Sequence, residues 1–324
     1  MSASASCATD AGTVVVFYRP DSACIGLANW LAKAGPCVVV DNTESLSDSA
    51  TLGLDESITY IANGANLGIA TAINRGVEAL IAQGCRCAIL FDQDSEPSAH
   101  LLKMLPQVMQ AELARGTKVA LVGPGYEDAR LGGVAPFVRF GVLSLRRVAP
   151  VGAQPLEVDF LITSGSCLNL DVWEQIGPMD DALFIDFVDL EWCVCAHAKG
   201  FSVLGVPDLR LAHSLGGEPV RVFGRAYPGR GAIRRYYQFR NGVVLTKRGY
   251  VPWSWKTSEL VKLPCRLVIY GLFMPRRLDH LRLSLLGLWH GMTARLGALP
   301  LNVAFVKHRT VSNCFFAGNQ ELAC

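Results

Sequence analysis

The sequence is short of charge and of paired metal-binding cysteines, and both shortages exclude classes of protein. Only 18% of its 324 residues are Asp, Glu, Lys or Arg, whereas 51% are hydrophobic. A chain with so few charges and so much apolar material buries a core, which excludes an intrinsically disordered protein. None of the 11 cysteines forms a C-x-x-C pair, which argues against a zinc ribbon or a thioredoxin-like motif. Their odd number and apolar surroundings predict reduced thiols in a cytoplasmic compartment.

Long apolar runs are missing as well. The most apolar stretches near the C-terminus, 267–274 and 283–292, are too short to cross a bilayer, so we expect no membrane-spanning helix. The first residues, MSASASCATDAG, lack the basic segment followed by apolar residues that marks a signal peptide.

The charge that is present divides unevenly along the chain. Residues 1–218 contain 13 basic and 25 acidic residues, a net charge of −12. Residues 219–310 contain 17 basic and 2 acidic residues, a net charge of +15. We therefore predict two functional regions, residues 1–218 and a basic loop and helical region over 219–324.

Short β-branched runs alternate with segments of helical spacing in the first part of the chain. Strands are predicted at 13–18, 37–42, 87–92 and 118–124, and helices at 23–35, 67–84 and 100–116, the last interrupted near Pro106. This alternation predicts an α/β fold with a mostly parallel sheet flanked by helices. Ligands of such sheets bind beyond the carboxyl ends of strands, which is where Asp41, Asn42, Asp92 and Asp94 are found.

The pattern is less regular after residue 124. It predicts a loop or short hairpin at 125–155, a strand, turn and helix at 157–177, an acidic helix at 181–200, two short strands at 201–213, a mobile loop at 216–233 and basic amphipathic helices at 234–296.

The segment LFDQDSEP, residues 90–97, ends a predicted buried strand with two carboxylates one residue apart. Their mutual repulsion favours a bound cation, and hard oxygen ligands suit Mg²⁺ or Mn²⁺ shared with a phosphate group. The structural alternative is a solvated strand end followed by a helix cap at Ser95. Phosphatases that form an aspartyl phosphate also place D-x-D after an apolar strand, but their later GDxxxD pattern is absent here.

Three further segments carry candidate residues. In FIDFVDLEWC, residues 184–193, Asp186 and Asp189 would share a face of a helix, and a carboxylate among aromatic residues can act as a general base. The alternative is a helix with a solvated acidic face. His213 ends a predicted strand and is a candidate third metal ligand, although a lone histidine is more often structural. NGANLGIATAINRG, residues 63–76, offers backbone N–H groups to an anion but lacks the ending of a P-loop.

Taken together and in this order, these segments resemble the family 2 glycosyltransferases of the GT-A fold, most closely the bacterial rhamnosyltransferases that use dTDP-L-rhamnose. The resemblance covers about residues 13–250 and is most specific between 160 and 216. The matching segments are VVVDN (38–42), NGANLGIATAINRG (63–76), LFDQDSEP (90–97), FLITSGSCLNLDVWEQIGPMDDALFIDFVDLEWC (160–193), KGFSVLGVPDLRLAHSLG (199–216) and RRYYQFRNGV (234–243).

This resemblance implies an inverting, metal-dependent enzyme. Residues 1–218 would form its nucleotide-sugar-binding and catalytic domain, and residues 219–324 would associate with the acceptor, the membrane or both. It would move L-rhamnose from dTDP-β-L-rhamnose to a hydroxyl of a glycan or lipid-linked acceptor in cell-surface polysaccharide synthesis. The same chemistry with a UDP-hexose donor is one alternative. A non-catalytic binding protein on a degenerate transferase fold is another.

The resemblance also implies a role for individual residues. Asp189 matches the catalytic base, and Mg²⁺ or Mn²⁺ would be held by Asp94, Asp92 and His213. The nucleotide sugar would be bound by Asp41, Asn42, Asn66, Asp92, Gln93 and Asp94. The acceptor side would be lined by Ser164, Gly165, Asp186 and Glu191.

The basic C-terminal region carries aromatic residues among its charges, namely Trp253, Trp255, Tyr270 and Trp289. Such segments suit an anionic leaflet, and acceptors of similar enzymes are often polyprenyl-diphosphate-linked glycans. We therefore expect a peripheral position on the cytoplasmic face of the inner membrane. An ordinary helical subdomain or a homo-oligomer interface is the alternative, and no motif for nucleic-acid binding is present.

Overall fold

Nine strands form the main sheet of the computed structural model, which describes residues 10–128, 133–141, 145–212, 220–222, 225–227 and 231–300. They are β1 (Ala11–Phe17), β2 (Cys37–Asp41), β3 (Thr59–Ala62), β4 (Cys87–Asp92), β5 (Val119–Asp128), β6 (Gly133–Val134), β9 (Leu156–Val158), β10 (Cys167–Asn169) and β11 (Ser202–Ala212). Two small antiparallel pairs lie outside this sheet: β7 (Phe137–Phe140) with β8 (Leu145–Val148), and β12 (Val220–Val222) with β13 (Arg225–Tyr227).

The main sheet has the order β3-β2-β1-β4-β10-β5-β11-β9, with β6 paired to β5. Strands β1 to β4 pair in parallel, as do β5 and β11, whereas β9 and β10 run antiparallel to their neighbours. The mostly parallel sheet predicted from the sequence is thus confirmed. Phe17 stands opposite Asp41 and Val16 opposite Asp92, so the ends of three neighbouring strands meet at one edge.

Nine helices are described, and those of the first part cover the two faces of the sheet. They are α1 (Ser22–Ala32), α2 (Ser49–Leu52), α3 (Ile69–Ala82), α4 (Ala99–Ala114), α5 (Trp173–Ile176), α6 (Val188–Ala198), α7 (Ala232–Thr246), α8 (Trp253–Phe273) and α9 (Arg277–Met292). No helix among the described residues combines the length and apolarity that a membrane span needs.

Alternation along β1 explains how one strand serves two cores. Val14 and Val16 pack with α3, whereas Val15 and Phe17 pack with α1 and α4 on the opposite face. Successive side chains of a strand point to opposite faces, so an apolar run without polar interruption is what a doubly covered strand requires. The run TVVVFY is therefore a consequence of burial on both sides.

Four predictions of local structure need correction. Pro106 lies inside α4 without ending it, and the segment predicted as two short strands at 201–213 is the single strand β11, whose register shifts between Val206 and Arg210. The loop predicted at 216–233 contains β12 and β13 in its described part. Most importantly, residues 181–200 are not one helix.

The interruption of that helix lies just before the predicted base. A 3-10 turn covers Asp181–Leu183, and α6 begins only at Val188. Between them, Phe184, Asp186 and Phe187 have φ angles of 64°, 63° and 66°. Residues other than glycine rarely adopt these left-handed φ angles, and a right-handed α-helix cannot contain them. Asp186 and Asp189 therefore do not share a helix face.

The three C-terminal helices pack on one another, and α7 also contacts the loop that precedes α6. Gly287 and Gly291 of α9 lie against the backbone of α7, where an added Cβ would come within 2.4 Å of the Tyr236 carbonyl oxygen and 2.7 Å of the Arg240 carbonyl oxygen. Only glycine permits helices to approach this closely. The boundary between residues 218 and 219 falls outside the described residues and stays a prediction.

Candidate active site

The D-x-D segment forms a tight turn at the carboxyl end of β4. Asp92 is buried at 8% exposure, whereas Asp94 is exposed. The turn is closed by the Ser95 N–H, which donates to the Asp92 carbonyl oxygen at 3.1 Å. Gln93 is buried, and its side-chain oxygen accepts from the backbone N–H of Tyr18 at 2.7 Å. Gln93 therefore ties the ends of β1 and β4 together.

The Ser-Gly turn at residues 164–166 packs directly beneath that segment. The Gly165 N–H donates to the Leu90 carbonyl oxygen at 2.7 Å, and the Ser164 and Ser95 hydroxyls lie 2.7 Å apart. Gly165 has a φ of 75°, and an added Cβ would lie 2.6 Å from the Leu211 side chain. This position therefore requires glycine for both conformation and space.

Tyr126 joins the D-x-D segment to the predicted base. Its hydroxyl donates to the Ser164 carbonyl oxygen at 2.8 Å. Burial raises the pKa of Tyr126, and the carboxylates of Asp189 and Asp92 raise it further. The turn that Tyr126 supports contacts both acidic elements, because the Asp92 N–H donates to the Ser164 hydroxyl oxygen at 3.4 Å and Ser166 lines a cavity together with Asp189.

Asp189 occupies the first turn of α6, where it is half-buried. One of its carboxylate oxygens accepts from the Leu190 N–H at 2.8 Å. It borders a small cavity that is also lined by Thr163 and Ser166 of the turn beside β4. A carboxylate at a helix N-terminus interacts favourably with the helix dipole.

A cleft separates the end of β2 from the loop that precedes α6. It is lined on one side by Asn42, Asn66 and Gly68 and on the other by Phe184 and Ile185. The Ile69 N–H donates to the Phe184 carbonyl oxygen at 2.8 Å, so the start of α3 holds this loop. A Cβ on Gly68 would lie 2.5 Å from the same carbonyl oxygen.

The residues predicted to bind the nucleoside form hydrogen bonds with neighbouring groups of the protein. Asp41 accepts from the Thr43 N–H and hydroxyl and from the Tyr60 hydroxyl at 2.8 Å. Asn42 donates to the Gly68 carbonyl oxygen at 3.0 Å, and its side-chain oxygen accepts from Asn63 at 2.8 Å. The Asn66 side-chain oxygen accepts from the Gly68 N–H at 3.0 Å. These bonds fix the shape of the pocket wall.

Two acids predicted on the acceptor side have basic partners from the C-terminal region. Asp186 faces Arg234 of α7, with Nε to carboxylate distances of 3.2 and 3.3 Å. Glu191 accepts from Arg248 at 2.6 Å and from the Tyr250 hydroxyl. Burial raises the pKa of Glu191, and these hydrogen bonds act in the opposite direction.

Two residues support the base loop, the segment 183–187 that precedes the predicted base Asp189. Sequence reasoning gave neither of them a role. Asn241 is fully buried and donates to the carbonyl oxygens of Leu183, Ile185 and Asp186 at 2.8–2.9 Å. Arg240, also fully buried, donates to the Leu183 carbonyl oxygen at 2.8 Å. The signal available in the sequence was that Arg240 and Asn241 interrupt the apolar residues of QFRNGVVL. Nothing local indicates which loop they hold.

The donor set at the D-x-D turn fits a hard divalent cation only in part. Asp92 and Asp94 supply carboxylate oxygens of the kind that Mg²⁺ and Mn²⁺ prefer. Within the described ranges, no three His, Cys, Asp or Glu side chains cluster as a complete metal site. His213, the predicted third ligand, lies outside the described residues. The residue before it, Ala212, forms a β-bridge with Glu96 of the D-x-D loop.

No family model matches the chain. The chain is 32% identical over 252 residues to the dTDP-rhamnosyl transferase RfbF of Shigella flexneri, and this match spans 76% of the chain and 83% of that relative.

Two solved structures share the fold. GalNAc-T7, crystallised with UDP, GalNAc and Mn²⁺, matches with a TM-score of 0.53 and 13% identity over 89% of this chain, which spans 56% of that one. Residues 1–349 of S. aureus TarS match with a TM-score of 0.52 and 10% identity over 89% of this chain and 82% of that one. The extended match to RfbF and the shared architecture lead to one conclusion. The chain belongs to the family 2 glycosyltransferases of the GT-A fold, in their rhamnosyltransferase branch.

Proposed function

We propose that this glycosyltransferase moves L-rhamnose from dTDP-β-L-rhamnose to a hydroxyl of a glycan or lipid-linked acceptor in cell-surface polysaccharide synthesis. The observation that carries the proposal is the position of the Ser164–Ser166 turn between two carboxylates from different elements: the Asp92 N–H donates to the Ser164 hydroxyl oxygen at 3.4 Å, and Ser166 lines a cavity together with Asp189. One carboxylate would serve the leaving group and the other the nucleophile. Similarity to RfbF over most of both chains supports dTDP-rhamnose as the donor.

Asp189 acts as the general base in this proposal. An acceptor hydroxyl has a high pKa, so a carboxylate within hydrogen-bond reach lowers the barrier by taking its proton. The acceptor oxygen forms a bond to the anomeric carbon while the bond to the diphosphate breaks with its electron pair. Displacement from the opposite side inverts the configuration, so a β-L-rhamnosyl donor yields an α-L-rhamnoside.

The strand ends hold the donor in this proposal. Asp41, Asn42 and Asn66 shape the nucleoside side, and Gln93 keeps the neighbouring strand ends in register. Mg²⁺ or Mn²⁺ held by Asp94, Asp92 and His213 would stabilise the charge that develops on the diphosphate. The β-bridge between Glu96 and Ala212 supports this ligand set, because it brings the residue before His213 alongside the D-x-D loop.

The acceptor side is assigned to the Ser164–Gly165 turn and to the loop around Asp186, with Glu191 behind it. Since Asp186 and Glu191 are paired with Arg234 and Arg248, their role is to position the wall rather than to bind the acceptor directly. We further propose that the acceptor is linked to a polyprenyl diphosphate and that the enzyme meets it at the cytoplasmic face of the inner membrane.

A donor screen tests the sugar assignment. Saturation-transfer NMR with dTDP-rhamnose, UDP-galactose and UDP-glucose is expected to show preferential binding of dTDP-rhamnose. Stronger binding of either UDP-sugar would reject the rhamnose donor in favour of a UDP-hexose. Binding of every donor without transfer or hydrolysis would favour a non-catalytic protein.

A metal test addresses the D-x-D turn. We expect Asp94→Ala or EDTA to abolish turnover, because the diphosphate charge would lose its counter-cation. Glu96→Gln is the matched control, since Glu96 is an exposed carboxylate of the same loop. Undiminished turnover in EDTA would contradict metal dependence.

A further inference from the structure

One side of α8 is apolar and exposed along the whole helix. Trp253, Leu260, Val261, Val268 and Leu272 have 73%, 55%, 66%, 58% and 60% of their surfaces exposed. At 100° per residue these positions fall on one side of the helix. The opposite side is buried against α7 and α9 through Leu263 and Tyr270.

A second exposed stripe follows α9. Leu278, Leu285, Trp289 and Met292 recur at the spacing of one helix face, and each is exposed. Arg282 falls on the same stripe and is also exposed. Since α8 ends at Phe273 and α9 begins at Arg277, the two stripes approach each other at this short turn. Exposed apolar stripes on two neighbouring helices mark an interaction site on the protein surface.

The charge of the surrounding region restricts the partner. Residues 231–300 contain 12 basic and 2 acidic residues, a net charge of +10. Arg234, Arg240 and Arg248 bond within the fold, and the exposed Arg276 pairs with Asp279 at 2.8 Å. Arg277 and Arg282 add exposed basic side chains on α9. Two copies joined through this face would bring like charges together, whereas an anionic leaflet supplies the complementary charge.

The side-chain types fit the same partner. Trp253 and Trp289 lie on the stripes, and indole rings favour the boundary between hydrocarbon and lipid headgroups. Arginine side chains beside an apolar stripe can extend to the headgroup phosphates while their stems stay on apolar surface. An amphipathic helix of this composition lies in the plane of the interface and does not cross it.

We infer that this α8–α9 face, formed by the exposed stripes of the two helices, docks on an anionic lipid bilayer. The inference deepens the proposed membrane-bound acceptor and rests on it for its purpose. Through α7, the same helices contact the loop that precedes Asp189, because Arg234 pairs with Asp186 and Asn241 binds three carbonyl groups there. Docking would therefore orient the acceptor side of the enzyme relative to the bilayer.

Vesicle flotation of the full chain tests the inference without depending on turnover. Vesicles of phosphatidylcholine alone are compared with vesicles that also contain phosphatidylglycerol. We expect the protein to float with the anionic vesicles, and we expect Val268→Glu with Leu272→Glu to lower the bound fraction about tenfold, because two charges would enter the interface. Val151→Glu is the matched control, since Val151 is 72% exposed in another region, and it should float as the unaltered protein does.

Two outcomes would overturn the inference. The first is an absence of binding to anionic vesicles, or flotation of the double variant equal to that of the unaltered protein. The second is a dimer in sedimentation velocity that the double variant converts to a monomer, because the face would then join two copies. If flotation behaves as expected while the donor screen favours a UDP-sugar, the rhamnose donor fails and the docking surface stands.

Discussion

Two regions of the protein use charged residues in opposite ways. At the carboxyl edge of the sheet, Asp94 is exposed and Asp189 is half-buried beside a cavity. In α7, Arg234 and Arg240 are 5% and 0% exposed and bond to the base loop. A count of charges along the chain predicts a charged surface in both regions. The structure shows that Arg234 and Arg240 of α7 are internal supports, so the membrane attraction that we propose would come from other residues.

The largest expected effect belongs to the acidic region. Asp189→Asn keeps the shape of the side chain but cannot take a proton from the acceptor, so we expect kcat to fall by about 10²–10⁴-fold. Donor binding should stay within a factor of a few, measured by titration with the nucleotide sugar. Asp208→Asn, an exposed change on β11, is the control. Full transfer activity of Asp189→Asn with a verified acceptor would remove the base from this position.

A smaller effect is expected in the internal part of α7. Asn241→Leu would remove the side-chain donor to the Ile185 and Asp186 carbonyl groups and one of the donors to Leu183, so we expect the free energy of unfolding to fall by about 2 to 4 kcal/mol. Thermal and urea unfolding measure the change, with Gln107→Leu on the exposed side of α4 as the control. If Asn241→Leu were as stable as the control, the base loop would be held by other contacts.

The smallest expected effect is a pH dependence of stability that comes from the basic C-terminal region. Burial and the charge of Arg235 lower the pKa of His280 in α9 to about 4. Between pH 6.5 and 4 the unfolded chain binds a proton at His280 that the folded chain does not, so stability is complete above pH 6.5 and falls as the pH drops towards 4. The loss should be on the order of 1 kcal/mol after allowance for solvent screening.

His280→Leu should remove this part of the acid dependence, measured as the difference in unfolding free energy between pH 7 and pH 5. His100→Leu on α4 is the control, because His100 is an exposed histidine. An unchanged acid dependence in His280→Leu would assign the loss to other groups.

Much of the sheet was predictable because its signals are local. TVVVFY and CAILFD carry the apolar runs of strands covered on both faces. Asp92 and Asp94, at the end of the second run, fall at the predicted edge. The Ser-Gly turn at 164–166 was predictable from its residue types and the resemblance. These features depend on neighbours in the sequence.

The segment from 184 to 187 was not predictable in the same way. Phe184, Asp186 and Phe187 adopt left-handed conformations that their residue types disfavour. The conformations are held by Asn241 and by the start of α3, both remote in sequence. The spacing of the acids indicated a helix face, and tertiary contacts prevailed over it. The meaning of Arg240 was hidden for the same reason, because a sequence shows a charge without its partner.

The three hydrogen bonds from Asn241 have a consequence for protein engineering. One way to try to change the acceptor of a glycosyltransferase is to exchange its C-terminal helices with those of a relative. In this chain, such an exchange would also replace the residue that fixes the entry to α6, and with it the starting point of the helix that carries Asp189. We expect a chimera to keep Asp189 in place only if residues 182–187 and α7 come from the same parent.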